Sequence, residues 1–229
     1  MRIWTVDDVM TRVVVSVDQG ASYRRLVDLL IGNGFSAVPV VDAVGRVTGV
    51  VSESDLLRKI EYAGEGEPRL FEGRRRRSER RKALAGTAAD LMSAPPVVAL
   101  TGASIAEAAR QMDREGVKRL PVVDNMGRLV GIVSRADLLK VHLRADAEIL
   151  SDIEAEVVRP FLAEETTTVT VAVADGAVAL AGRVDRRSSM EIAQRLCRQV
   201  PGVVAVTSTL DYGFDDKDVH NLRLGSQVV

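Results

Sequence analysis

The sequence predicts a mixed α/β fold of the α+β type, in which a duplicated unit packs on itself with pseudo-twofold symmetry and a small αββαβ domain follows. Three observations predict it: self-similarity at one fixed offset, which sets Asp8 on Asp90, helical and strand periodicities that alternate identically in both copies, and a change of pattern after His142. From Asp8 to Leu57 against Asp90 to Leu139, 50 positions align without a gap and 19 are identical. Self-similarity at a fixed offset marks repeated supersecondary units, each too small to cover its own apolar face.

Each copy reads in the same order. After Ser22 or Ser104, a capping residue type, Leu26, Leu29 and Leu30, or Ala108, Ala109 and Met112, recur at helical spacing until Gly34 or Gly116. A strand follows at 37–41 or 119–123, then a turn ending in Gly45 or Gly127, then a second strand at 47–51 or 129–133. Ser52 and Ser134 stand at the strand end, three residues before Asp55 and Asp137 and just ahead of a new helix. The expected unit is strand, helix, strand, strand, helix. The segments are a first repeat at 1–62, a basic linker at 63–87, a second repeat at 88–146, the small domain at 147–214 and a tail at 215–229.

Composition bounds the function. Hydrophobic residues are 46% and charged residues 28%, an ordinary globular balance, and aromatics at 3% leave the core to Val, Leu, Ile and Ala. With 31 Lys plus Arg against 32 Asp plus Glu, no global field draws the chain to nucleic acid or anionic lipid. One cysteine, Cys197, excludes an internal disulfide, and two histidines leave no metal cluster to propose. Asp7 and Asp8 stand where a secretory signal would be apolar, so the expected location is cytoplasmic.

Asp-h-Met at 8–10 and 90–92 (h, apolar), Pro-Val-Val-Asp at 39–42 and 121–124, and Gly-h-h-Ser-x-x-Asp from Gly49 and Gly131 resemble the cystathionine-beta-synthase (CBS) domain in its tandem form, the Bateman module. The resemblance covers about residues 5–145. It implies adenine nucleotide (AMP, ADP, ATP) or S-adenosylmethionine as a regulatory ligand, no required cofactor, and a homodimer.

The repeated Gly-h-h-Ser-x-x-Asp has chemical content of its own. Gly49 and Gly131 let a ligand or a neighbouring backbone approach the strand, and the following helix aims its N–H groups at the strand end, where a phosphate can rest. A carboxylate can accept both hydroxyls of a ribose and a serine hydroxyl can donate to phosphate. The same Ser-x-x-Asp spacing also caps a helix with no ligand at all. By the resemblance, Asp55 and Asp137 bind ribose, Ser52 and Ser134 contact phosphate, and Pro39, Pro121, Gly49 and Gly131 shape the nucleotide site. Lys118 and Arg119, where the first repeat has Ser36 and Ala37, supply phosphate charge to the site built on Asp55, which is expected to be the tighter of the two.

The linker holds Arg74–Arg77 and Arg80–Lys82, seven basic residues in nine positions. They read as a solvated run or, alternatively, as a nucleic-acid contact, although no aromatic residue is interleaved for base stacking. Beyond it, Ile149, Ile153, Val157 and Phe161 form a helical stripe ended near Pro160. Strands follow at 168–173 and 177–183 around Asp175-Gly176, a helix at 186–200, and a third strand at 203–211. Val-x-Asp-Gly-x-Val-x-Leu-x-Gly at 173–182 and Val200-Pro201-Gly202-Val203 resemble the BON domain, which implies attachment to protein or phospholipid and no catalysis. No nucleophile is paired with a base and no carboxylate pair shares a predicted cleft, so the expectation is a non-catalytic sensor.

Overall fold

The structure is a computed structural model that describes residues 3–61, 86–162 and 169–216. The basic run at 74–82, the side chain of Phe161 and the tail from 217 lie outside the described residues. The chain forms two compact units, one spanning Thr5–Leu138 and the other combining Met1–Trp4 with Leu139–Val229.

In the first unit each repeat begins with a one-turn helix, α1 (Val6–Val9) or α4 (Ala88–Leu91), and continues into a short strand, β1 (Val17–Asp18) or β4 (Ala99–Leu100). Helix α2 (Tyr23–Asn33) or α5 (Ile105–Arg114) follows, then the hairpin β2 (Ala37–Val41) and β3 (Val47–Ser52), or β5 (Arg119–Val123) and β6 (Leu129–Ser134). The closing helix is α3 (Glu53–Glu61) in the first copy and the shorter α6 (Arg135–Leu138) in the second. Each sheet runs in sequence order, with the first pair of strands parallel and the second antiparallel.

Local chemistry sets these boundaries. Ser22 Oγ accepts the Arg25 N–H at 3.3 Å, and Gly34 ends α2 at φ 64°, where a side chain would be strained. Ser104 and Glu107 close a reciprocal cap on α5, and hydrogen bonds from Ser104 hold the Glu107 carboxyl below its ordinary value. Ala108 and Met112 face the core of α5. Ala109, counted in the apolar stripe, is exposed, because it lies about 100° round the helix from Ala108. In the hairpin turns the Asp42 carboxylate accepts the N–H groups of Val44 and Arg46, and Asp124 those of Met126 and Arg128.

The two repeats exchange their leading segments. The Val6 N–H donates to the Ala103 carbonyl at 2.8 Å, and at the equivalent position of the second copy the Ala88 N–H donates to Ala21 at 2.8 Å. Thr11 and Ile132 exchange two backbone hydrogen bonds, and so do Ser93 and Val50. Ala88 and Leu91, from the second copy, therefore lie in the same buried cluster as Leu26, Leu30, Val38, Val40 and Val51 of the first. The hairpins also meet near their turns, where Val47 N–H donates to Gly127 and Leu129 N–H to Gly45.

Gly49 and Gly131 explain themselves here, and not as expected. What approaches them is a methionine from the exchanged segment: a Cβ on Gly49 would overlap Met92 Sδ and lie 2.9 Å from its Cβ, and a Cβ on Gly131 would overlap Met10 Sδ. The Asp-h-Met motif and the glycine of Gly-h-h-Ser are thus two halves of one contact, made twice.

In the second unit α7 (Asp146–Ile153) runs through a π turn (Glu154–Val158) into α8 (Arg159–Leu162), with the Arg159 N–H bonded to the Glu154 carbonyl. The helical run reaches Leu162, close to the end expected near Pro160. The stripe accounts for the π turn: a spacing of four drifts by about 40° per step on a 3.6-residue helix, and the wider turn returns Val157 to the face of Ile149 and Ile153. That turn also relaxes the clash a proline makes with the carbonyl four residues earlier. All three apolar residues are buried.

Strands β7 (Thr170–Ala174) and β8 (Ala177–Arg186) form a hairpin whose Asp175 and Gly176 both take positive φ, and the Asp146 carboxylate accepts both of their N–H groups at 2.9 Å. Helix α9 (Arg187–Cys197) returns the chain to β9 (Ala205–Phe214), parallel to β8, so β8 is the central strand. The inner face of the sheet buries Val178, Leu180, Val184 and Leu210 under the helices, while Ala172, Ala179, Ala181, Thr207 and Thr209 stay exposed on the other. The Arg144 side chain is 8% exposed, donates to the Pro201 carbonyl and to Asp152, and stands over the Trp4 ring.

Two tests follow. Gly49→Ala is expected to cost about 1–3 kcal/mol by overpacking against Met92, read as a lowered urea midpoint with an unchanged slope. Cys197 is fully buried, and burial pushes its thiol up to about 11. It should resist a thiol reagent at pH 8 in the folded protein and react at once in denaturant.

Candidate functional site

Two clefts open between the repeats of the first unit. The larger, about 220 Å³, is bounded by Ser52, Glu53 and Ser54 at the β3–α3 junction, by Ser36 and Ala37, by Pro95–Val97 and by Gly116–Arg119. The smaller, about 100 Å³, is bounded by Ser134 and Asp137, by Val13–Val15, by Phe35 and Ala37, and by Arg119. Most of the second set is the first carried over by the repeat offset: Ser134 for Ser52, Val13–Val15 for Pro95–Val97, Phe35 for Val117. Each cleft therefore takes walls from both copies.

The Ser-x-x-Asp pairs do what their spacing permits. The Ser52 N–H and hydroxyl both donate to Asp55 Oδ2, at 3.0 and 2.7 Å, and Ser134 does the same to Asp137 Oδ2 at 2.9 and 2.6 Å. The Asp137 N–H returns a bond to Ser134 Oγ at 3.2 Å. These are helix caps, and each commits one carboxylate oxygen. Asp55 is 5% exposed and lies behind the wall of the larger cleft, whereas Asp137 lines the smaller one.

The phosphate cradle expected at the helix N-termini is altered by the same packing. The first N–H of α3, on Glu53, donates to the Ser36 carbonyl at 3.1 Å, and that of α6, on Arg135, to the Lys118 carbonyl at 3.2 Å. Helix α6 is moreover a single turn, too short for a useful dipole. Positive charge for an anion comes instead from side chains: Lys118 is exposed and lines the larger cleft, and Arg119 is half-buried with no carboxylate partner among the described residues.

Pro39 and Pro121 line neither cleft. Both are buried in mid-strand, paired with Val50 and Ile132, and β1 and β4 reach their strands only one residue later, so the missing N–H breaks no ladder bond there. Gly49 and Gly131 lie beneath the methionines. The sequence reading missed the apolar walls, Pro95–Val97 with Val13–Val15 and Phe35, although the identity of Val15 and Val97 at the repeat offset was a signal for them.

Comparison with known proteins places this geometry in a family. The CBS domain matches residues 6–62 and 88–144, and the BON domain matches 145–213. An uncharacterised Methanocaldococcus jannaschii protein, MJ1426, is 28% identical over 153 residues, 60% of this chain and 90% of that protein. The chloroplastic CBS domain-containing protein CBSX1 of Arabidopsis thaliana is 28% identical over 154 residues, and the chain spans less than two thirds of it, 65%. Among solved structures, Arabidopsis CBSX2 in complex with AMP is similar with a TM-score of 0.55 and 29% identity, over 61% of this chain and 97% of that one. The chain belongs to the CBS-domain family, as a tandem CBS pair joined to a C-terminal BON domain.

Proposed function

We propose that this chain is a non-catalytic sensor whose CBS pair binds an adenine nucleotide in the clefts between its repeats. The observation that carries the proposal is the pair of symmetry-related clefts, each walled by both copies, the larger bearing a lysine and an arginine that has no ion-pair partner among the described residues. The complex of CBSX2 with AMP, in a protein of the same fold, supports AMP as the first ligand to try, with ADP, ATP and S-adenosylmethionine as alternatives.

In this reading the apolar walls, Pro95–Val97 and Val13–Val15, hold the base. The Ser-Asp caps fix the junction beside which the ribose lies, and Lys118 and Arg119 take the phosphate. The larger cleft binds more tightly because Lys118 has Ser36 as its counterpart.

Homodimer formation is supported by Leu57 and Ile60, 57% and 69% exposed on α3, a helix that turns Asp55 and Leu56 inward. The BON unit serves as the attachment module, toward protein or phospholipid, and its outer sheet face, alanine and threonine with the exposed Arg183–Asp211 ion pair at one end, supports contact with a broad partner surface. Among the described residues no helix is long and apolar enough to cross a membrane. A cytoplasmic, reducing location is the companion proposal, supported by the buried free thiol of Cys197.

A thermal-shift screen with AMP, ATP, S-adenosylmethionine and a mixed RNA tests the class. A ligand at 100 times its Kd stabilises by about 2.7 kcal/mol, several degrees in melting temperature, so a nucleotide should produce that shift and RNA should not. Calorimetry then tests the asymmetry. Lys118→Ala should weaken only the tighter binding event, by about tenfold, and Asp137→Ala only the weaker one. A shift with RNA alone would replace the reading, and equal losses from both variants would remove the asymmetry.

A further inference from the structure

Among the described residues the two clefts share just two lining residues, Ala37 and Arg119. They are the same position in the two copies, each the first residue of its middle strand and each opposite the capping serine of its own repeat: Ala37 is paired with Ser52, and Arg119 with Ser134. Symmetry therefore provides a position that reaches both clefts from each side. The sequence fills it with a cation on one side and a methyl group on the other.

We propose that Arg119 is a single cation shared by two anion sites, so that a nucleotide in one cleft withdraws it from the other and the two clefts bind with negative cooperativity. The proposal rests on the nucleotide reading above and adds to it the coupling between the sites. Arg119 is half-buried between the clefts, without an ion-pair partner among the described residues, and long enough to point its guanidinium to either side. A phosphate in the larger cleft, already favoured by Lys118, draws the guanidinium there. The smaller cleft, which has Phe35 and Ala37 in place of Val117 and a second arginine and is lined by the Asp137 carboxylate, is then left with no cation among the described residues for its own phosphate. A charge-assisted contact of this kind changes affinity by roughly tenfold or more.

The test separates sharing from mere inequality by closing the larger cleft alone. Ser54 lines only that cleft and is exposed, so Ser54→Trp fills it from outside the core; Val97→Trp closes it from the opposite wall should the first variant fold poorly. Titrated with AMP in a calorimeter, the wild type should show two steps, the second about tenfold or more weaker. Ser54→Trp should keep one site, now about tenfold tighter than the wild-type second step because Arg119 is released to it, and Ser54→Trp combined with Arg119→Ala should lose that gain. Ala37→Arg should supply the missing cation and bring the two wild-type steps to within about threefold. If the site left in Ser54→Trp binds as weakly as the wild-type second step and ignores Arg119→Ala, Arg119 serves one cleft and the coupling is wrong, while the nucleotide reading stands. If the wild type binds none of AMP, ADP, ATP and S-adenosylmethionine, both are wrong.

Discussion

The contact on which the first unit depends is a methionine seated on a glycine of the opposite repeat. Met92 covers Gly49 and Met10 covers Gly131, and each contact is flanked by a two-bond backbone bridge, Ser93 with Val50 and Thr11 with Ile132. A side chain larger than hydrogen at either glycine would push the leading segment off its strand. Because the exchange also carries Ala88 and Leu91 into the buried cluster of the first copy, neither repeat owns a complete core. A repeat of this size, whose first strand is only two residues long, buries too little surface to be more than marginal alone, and the interlock makes two such units into one.

The clefts are a by-product of that exchange. Once the segment that follows α4 lies along the first copy, Pro95–Val97 faces the β3–α3 junction and closes a space that no single repeat would enclose, and Val13–Val15 does the same on the other side. The polar chemistry within is restrained: the serine–aspartate pairs are committed largely to capping, and the first N–H of each closing helix is taken by the carbonyl just ahead of the middle strand. Among the described residues, what remains to select an anion is the cationic pair Lys118 and Arg119, present in one copy and replaced by Ser36 and Ala37 in the other. A duplicated scaffold with an unduplicated charge makes two similar cavities unequal without changing the backbone.

Much of this was legible in the sequence, for a physical reason. The repeat offset exposes every position that must be filled alike in both copies, so the caps at Ser22 and Ser104, the turn residues Asp42 and Asp124, and the strand pairs could be placed in order. Pattern alone shows where an element lies and not what packs on it. The Met10 and Met92 motifs and the glycines were read separately, and their meeting across the repeats is a long-range contact that local periodicity does not encode. The π turn before Pro160 was hidden for a different reason: a stripe spaced by fours fits a widened turn but is equally ordinary on an α-helix, so the pattern does not distinguish them. For the site, the charged residues stood out by differing between copies, whereas the apolar walls looked like any short hydrophobic run.

The central claim is that the two repeats are one cooperative structure built by exchange of their leading segments. Native-state hydrogen exchange, followed amide by amide in low denaturant, tests it most directly, since cooperative units open with a common free energy. The amides of Thr11, Val50, Ser93 and Ile132 should exchange with the same free energy as the buried strand amides of Val40 and Val122, all lost together in a single global opening. Protection that vanishes at the four bridging amides while both strands stay closed, or separate opening of the two strands, would contradict the account.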